Sequence, residues 1–525
     1  MSGIEPAEAD RLRAAGMTIA LHAREDPDRL AILSPVGDLS YGQLNAQANQ
    51  LVRALRARGL GRGDSVALLC SNRPEFAVAY AAAVRSGLRL TPLNWHLQLD
   101  EAAYVVQNCE ARAFIADVRF ASVAQAAAAE CPKAEVRLAI GGAISGFESF
   151  EAALAAESPD DIPDPVLGGT MLYTSGTTGR PKGVHRREAP APTGVARLTA
   201  QVNRYQPERD RNLCLGPLYH AAPLAFNLVG SLAAGVGCVL VDKFDAEDAL
   251  RTIERARVTH THMVATMFHR LLALPDTVKS KYDLSSLRVI LHGAAPTPVH
   301  VKKAMIDWLG PVVHEYYAAT EGGGTFIFAE EWLKKPGSVG RPAEPGTLEI
   351  RDDAGKVVTP GTVGTIWFKA PAKGRFEYWK DSAKTASSYD GDWFTMRDMG
   401  YQDADGYVFL TGRTAELIIS GGVNIYPAEI DAVLLMHPAV RDAAAIGVPN
   451  EEFGEEVKAV VQLADGFDPS DALARELLEH CRARLAHFKC PRSIDFDPSL
   501  PRSEAGKVQR RAIRDRYWQA LGRQI

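Results

Sequence analysis

Thr174-Ser175-Gly176-Thr177-Thr178-Gly179-Arg180-Pro181-Lys182-Gly183 packs four hydroxyls, three glycines and two cations into ten residues, directly after the apolar run Met171-Leu172-Tyr173. Glycine lets a backbone approach an anion closely, N–H and hydroxyl groups donate to its oxygens, and lysine neutralises its charge. The composition is that of a polyphosphate cradle. It is not the Walker pattern, which needs four residues between its first glycine and a Gly-Lys pair; here Lys182 follows Pro181. A plain surface turn would account for the glycines but not for the hydroxyls and cations beside them.

Length and composition bound what can surround this loop. A chain of 525 residues exceeds what one hydrophobic core usually serves, so two or more domains are expected. Hydrophobic content of 46% and charged content of 23% are those of an ordinary globular protein. A net charge of −5 gives no reason to expect a nucleic-acid partner. The seven cysteines are scattered without a C-x-x-C pair, which speaks for a reducing compartment and against a zinc site or disulfide framework. Glu5, Glu8, Asp10, Arg11 and Arg13 leave no signal peptide visible, so the expected location is cytoplasmic. Ala221 to Val241 is uncharged and long enough to suggest a membrane span, but Pro223, Asn227, Gly230, Gly235 and Gly237 interrupt it. It reads better as a buried helix ending near Gly235, followed by the core strand Cys238-Val239-Leu240-Val241.

Strand-like and helical patterns alternate through the first two thirds of the chain. Val66–Cys70, Phe114–Ala116, His260–Val264 and Leu287–Leu291 read as buried strands, and Glu75–Val84 as a helix. Asp245 is a candidate helix cap before Leu250, Ile253 and Ala256 on one face. The alanine-rich run near 121–130 reads as plain helix. The rhythm predicts mainly parallel sheets covered by helices, with ligands beyond the carboxyl ends of strands. After about residue 340, Gly346, Gly355, Pro360, Gly361 and Gly364 punctuate short strands such as Thr365–Phe368, predicting a small antiparallel β unit. A second small region follows Arg413, where Asp468-Pro469-Ser470-Asp471 opens a helix with Leu473, Leu477, Cys481 and Leu485 on one face. The expected fold class is α/β: a large N-terminal domain, 1–412, and a small α+β C-terminal domain, 413–525.

The opening segment resembles the phosphate-binding signature of the adenylate-forming superfamily: acyl- and aryl-CoA synthetases, peptide-synthetase adenylation domains and beetle luciferases. Further motifs in the expected order extend the resemblance over essentially the whole chain, and its texture is most like bacterial fatty- and steroid-acid CoA ligases. The resemblance implies ATP, Mg²⁺ and CoA as cofactor and co-substrates. It places Thr174, Ser175, Gly176, Thr177, Thr178, Gly179 and Lys182 on the phosphates. Tyr317-Ala318-Ala319-Thr320-Glu321 is similar to the family's Tyr-Gly-x-Thr-Glu, with Ala318 for glycine. It implies Tyr317 on adenine, Thr320 on the α-phosphate and Glu321 on Mg²⁺, with Thr174 as a further metal ligand. Glu315 and Tyr316 join the nucleotide set, and Gly293, Ala294 and Ala295 resemble the backbone wall beside adenine. Asp398 would accept from the ribose hydroxyls, although Met396-Arg397-Asp398 replaces the usual Thr-Gly-Asp; Arg413 would contact ribose or phosphate. Lys507, in Pro501-Arg502-Ser503-Glu504-Ala505-Gly506-Lys507, matches the terminal signature and would stabilise charge as the adenylate forms. Gly421 and Gly422 resemble the loop that lines the pantetheine channel. His220 matches a position near the acid carboxylate. The family rotates its C-terminal domain between half-reactions, and the usual pivot side chain is here Ala415.

Ala221 to Asn227, His292 to Ala294 and Gly322-Gly323-Gly324 are the pocket candidates by resemblance, and none supplies a cation for a second carboxylate. The expected substrate is a long or bulky hydrophobic acid, fatty or steroidal. Aryl or other small acids are the alternative. A peptide-synthetase adenylation domain would need a carrier domain and an aspartate for an amino group; a luciferase-type oxygenase shares the motifs; a non-catalytic nucleotide or acyl-CoA sensor is the reading outside catalysis. His260 and His262 share a strand face and read as core histidines. No membrane span is expected, while peripheral membrane contact and a homodimer stay open.

Overall fold

Two large sheets carry the first 340 residues, and they are parallel where the sequence alternates strand with helix. The computed structural model describes residues 5–174, 181–188, 194–294, 297–413, 416–420, 423–450, 453–502 and 508–519. The first sheet runs Glu148–Ser149, Val136–Ile140, Ala111–Asp117, Ser65–Leu69, Arg89–Pro92, Gly169–Thr170, all parallel. The second has nine strands, parallel from Leu30–Leu33 to Val313–Ala319 and antiparallel at both ends. Helices Tyr41–Ala57 and Pro74–Ser86 bring Leu51, Val52, Phe76 and Val78 into one core with Leu68 and Ile115 of the first sheet and Ile32 and Leu240 of the second. Strands such as Ser65–Leu69 and Gly237–Leu240 are buried at every position because both of their faces are covered.

Local signals act as expected. Asp245 accepts from the Asp248 N–H at 3.0 Å and starts helix Ala246–Ala256, which buries Leu250, Ile253 and Ala256. The Ala221–Val241 stretch is helix then strand: the helix ends at Gly235 (φ 76°) and strand Gly237–Leu240 follows. Its first two turns differ from the expectation. Pro223–Val229 is a π-helix, in which buried Asn227 donates from Nδ2 to Asn212 Oδ1 at 2.7 Å and to the Leu213 carbonyl at 3.0 Å. Such wide turns are frequent at functional sites. Among the described residues no helix is long and apolar enough to cross a membrane.

The two described ends of the phosphate motif lie on a three-stranded antiparallel sheet. Leu172–Thr174 pairs with Lys182–Arg186, which pairs with Phe376–Tyr378. Thr174 stands opposite Lys182 in that ladder. The antiparallel β unit follows, with Gly364–Lys369, Asp398–Gln402 and Val408–Arg413 among its strands. Beyond Arg413 the pairing changes: Ile418–Ser420 and Val423–Ile425 join a different sheet with Gly454–Leu463, Val440–Asn450 and Ser493–Phe496. Helices Pro427–Leu434, Asp471–Arg482 and Arg510–Gln519 accompany it. Ser470 caps the second of these, and Leu473, Leu477 and Cys481 are buried; Leu485 lies past the helix end but still packs on that core.

Candidate nucleotide and acid site

Lys182 leaves the hairpin to meet Asp381, with Nζ 2.8 Å from Oδ2. Asp381 also N-caps helix Ser382–Ala386 by accepting from the Lys384 N–H at 2.9 Å. These hydrogen bonds, the lysine's first, hold the Asp381 carboxyl below its usual range. Lys384 is lowered instead, by burial and then by the charges of Arg397 and Lys182. Its ammonium lies 5.9 Å from the centroid of the Tyr378 ring. The Tyr378 hydroxyl donates to Glu321 Oε1 at 2.8 Å. Arg186 donates to the carbonyls of Thr320 at 3.0 Å and Glu321 at 2.7 Å, fixing the turn between strands Val313–Ala319 and Gly322–Ile327.

Tyr317 packs against Phe368 of the β unit, and its hydroxyl donates to Asp398 Oδ2 at 2.7 Å. Asp398 pairs in register with Arg413. Arg397 has φ 62°, the left-handed conformation that glycine adopts without cost, and its N–H donates to Thr395 Oγ1 at 2.9 Å. The replacement of glycine by arginine therefore leaves Asp398 in place against Tyr317. Gly323 (φ 72°) is required: a Cβ there would stand 2.6 Å from the Phe368 ring. Gly293 is required too, since a Cβ would stand 2.4 Å from the Tyr316 carbonyl. The backbone at 293–294, with Ala294 also left-handed (φ 67°), thus lies flat against strand Val313–Ala319.

The side chains of Glu315 and Tyr316 do not join this constellation. Glu315 accepts from Lys302 Nζ at 2.6 Å, with Lys302 fully buried and the His292 Nε2 3.5 Å away. Burial raises the Glu315 carboxyl and lowers the Lys302 ammonium. Tyr316 is buried and its hydroxyl is hydrogen-bonded to His262 Nε2 at 2.9 Å. For Tyr316 strand alternation is the reason: Tyr317 faces the β unit, so its neighbour faces the opposite layer; Glu315 is held instead by its ion pair with Lys302. His260 meets the Asn203 carbonyl at 2.8 Å, so both histidines are core groups with protein partners.

His220 is presented by a clamped loop. Buried Asn72 donates to the Gly216 carbonyl at 2.9 Å and the Val241 carbonyl at 3.1 Å, and its Oδ1 accepts from the Leu218 N–H at 2.9 Å. Past His220, Ala222, Phe226 of the π-helix, Tyr316 and Ala318 share an apolar cluster with Val289, Leu291 and Phe326. Phe226 stands edge-on to Tyr316 at 4.8 Å and stacks over His262 at 5.8 Å. Ser175, Gly176, Thr177, Thr178, Gly179, Ala295, Ala415, Gly421, Gly422 and Lys507 lie outside the described residues, as does the Arg413 side chain. Asn72, Arg186, Tyr378, Asp381 and Lys384 were not signalled by any motif. Of these only Asp381 has a sequence cue, as a cap residue before a short helix.

The described residues thus bring a tyrosine bonded to an aspartate, a lysine on a β-ladder and a hydrogen-bonded carboxylate turn into the region where the sequence motifs converge. Comparison with known proteins gives the family. The model of the AMP-binding enzyme family matches residues 19–376, and that of the AMP-binding enzyme C-terminal domain matches residues 429–507. The indoleacetate–CoA ligase of Aromatoleum aromaticum is 35% identical over 501 residues, covering 94% of this chain and 96% of that protein. The long-chain-fatty-acid–CoA ligase FadD13 of Mycobacterium tuberculosis is 32% identical over 512 residues, covering 96% and 98%. The crystal structure of ATP-bound MatB from Rhodopseudomonas palustris superposes with a TM-score of 0.82 at 31% identity, covering 95% of this chain and 99% of that one. The chain belongs to the adenylate-forming AMP-binding enzyme family, among its AMP-forming acid–thiol ligases.

Proposed function

We propose that the protein is an ATP-dependent acyl-CoA synthetase for a bulky hydrophobic carboxylic acid. It forms an acyl-adenylate with release of pyrophosphate, then transfers the acyl group to CoA and releases AMP. The observation that carries this reading is the Tyr317–Asp398 hydrogen bond beside the Lys182 hairpin. Tyr317 would offer its ring to adenine, and Asp398 and Arg413 would hold the ribose side of the nucleotide. Lys182 and the 174–179 loop would hold the phosphates, and Thr320 the α-phosphate. Glu321 and Thr174 are hard oxygen donors and fit Mg²⁺, which supplies charge neutralisation on the phosphates. Lys507 would meet the reacting carboxylate, and Gly421 and Gly422 would border the thiol path. His220 would stand beside the carboxylate.

The apolar cluster of Ala222, Phe226, Tyr316 and Ala318 supports a hydrophobic acid. Phe226, backed by the hydrogen-bonded Tyr316 and His262, forms an aromatic floor. That floor favours bulk over chain length. The relatives named above include ligases of indoleacetate and of long-chain fatty acids, so both belong in the test. AMP release should be measured with indoleacetate, cinnamate-type, steroidal and C4 to C16 acids. Turnover of the bulky acids, with a Phe226→Ala gain on the long ones, is expected. Activity confined to acetate would refute the acid assignment, and no AMP with any acid would refute the synthetase reading.

A further inference from the structure

The turn that leads from His220 to Phe226 is held in a wide register by two buried amides. In an α-helix the Gly230 N–H would reach the carbonyl four residues back, that of Phe226. Here it donates to the Ala225 carbonyl instead, and the Phe226 carbonyl accepts from Asn212 Nδ2 at 2.9 Å. Asn212 stands on strand Arg211–Cys214, in register with Cys238 and His260 of the strands on either side. Both ends of its amide are fixed: Nδ2 also donates to the Tyr205 hydroxyl at 2.7 Å, and Oδ1 accepts from Asn227 Nδ2 at 2.7 Å. Asn227 is fully buried, and its own Oδ1 has no partner among the described residues. An orphaned buried oxygen costs about 1–3 kcal/mol, which a leucine of similar size would not incur. What the Asn227 amide contributes is its two donations, to Asn212 Oδ1 and to the Leu213 carbonyl at 3.0 Å. Gly230 suits the same register, since a Cβ there would stand 3.2 Å from the Ala225 carbonyl oxygen.

We propose that Asn212 and Asn227 are specificity-determining positioning residues, which hold Phe226 in the floor of the acid site by keeping this turn wide. The inference rests on the reading of the protein as a synthetase of a bulky acid. With the turn wide, the Phe226 ring stands edge-on to Tyr316 at 4.8 Å and over His262 at 5.8 Å. Tyr316 and His262 are bonded to each other at 2.9 Å, which fixes the frame against which the ring is set. Without the Asn212 amide, the Phe226 carbonyl is free to take the Gly230 N–H, and the turn closes to the α register. Residues 223–229 then rotate about the helix axis relative to Gly230–Ala234, and Phe226 leaves the floor. The hydrogen bonds of the two amides go to Tyr205, Leu213, Phe226 and each other, so their effect falls on the acid and not on the nucleotide.

The test compares kcat/KM for hexadecanoate and for cinnamate in the full chain. Asn212→Leu combined with Asn227→Leu removes both amides at once, and Gly230→Ala crowds the Ala225 carbonyl from the other side. Each should raise the hexadecanoate-to-cinnamate ratio by about tenfold, the scale of one altered pocket contact, with KM for ATP unchanged. Phe226→Ala should raise the ratio to the same extent. Adding either change to Phe226→Ala should then move it by less than about twofold, because the ring that the amides place is gone. Gly230→Ala should keep or raise Tm, since alanine favours the α-helix, so a folded variant remains even where the double substitution unfolds the protein. A ratio that stays within about twofold in either folded variant would overturn the proposal. So would an equal gain in the Phe226→Ala background, which would mean that the amides act on the fold as a whole and not through Phe226. A wild-type protein that releases AMP with no acid, or with acetate alone, would instead refute the function proposed above, and this inference with it.

Discussion

The Tyr317 hydroxyl donates to Asp398 at 2.7 Å across 81 residues of sequence, and this bond joins the last parallel strand of the large sheet to the antiparallel β unit. It sets the distance between the ring proposed to meet adenine and the carboxylate proposed to hold the ribose. Asp398→Asn should therefore weaken AMP and ATP alike, by about tenfold, since a charge-assisted acceptor becomes a neutral one. Tyr317→Phe and the double variant complete a cycle read by calorimetric binding. Strictly additive losses would mean that the bond does not couple the two sites.

Asn72 makes three hydrogen bonds from a buried amide, two of them to the loop that presents His220. Asn72→Asp removes both donations and buries a charge, so a stability loss of about 2–4 kcal/mol is expected in urea melts. Below the melting range the variant should show a raised KM for the acid with KM for ATP unchanged. A rise for both substrates would show that the loop does not act on the acid side alone.

Buried histidines set the acid limit of the fold. Burial lowers His262 to about 3, and His260 and His314 to about 4. Each stays neutral in the folded protein, whereas the unfolded chain takes up a proton near the ordinary 6.5. The unfolded state thus binds more protons below that value, and stability falls as pH drops from about 6.5 towards 4. The slope reaches about 1.4 kcal/mol per pH unit for each such histidine. Tm measured against pH should fall through this window and change little between 7 and 8, and His262→Gln should flatten the fall. A Tm independent of pH from 7 to 4 would contradict the burial of these rings.

All seven cysteines are free and buried, and burial pushes the Cys70 and Cys238 thiols well up. A thiol reagent should label native protein slowly and denatured protein at all seven positions. Rapid labelling of the native form would place a thiol at the surface.

Lys507 is assigned to the first half-reaction alone. Lys507→Ala should abolish adenylate formation from acid and ATP while largely retaining thioester formation from supplied acyl-adenylate. Arg510, in the helix that follows, is anchored to Glu416 at 3.0 Å and to Asp431. Arg510→Ala should therefore reduce the same step without touching nucleotide affinity. Equal loss of both half-reactions in Lys507→Ala would contradict its role.

The sequence by itself determined the local order. Alternating apolar strands and amphipathic helices dictate parallel sheets, because a strand buried on both faces needs helices to cover it. Asp245 and Ser470 cap their helices where they stand, and Gly235 ends its helix, since these effects act within a few residues. The Thr174–Gly183 stretch announces an anion site by composition alone. The tertiary structure decided which side chains meet. Lys182 finds Asp381 at a separation of 199 residues, and Tyr317 rather than Tyr316 faces Asp398 because strand alternation sends neighbours to opposite layers. Glu315 is likewise drawn to Lys302 in the core rather than to the nucleotide. Such pairings depend on strand order, register and the packing of one unit on another, none of which is written in a window of neighbouring residues.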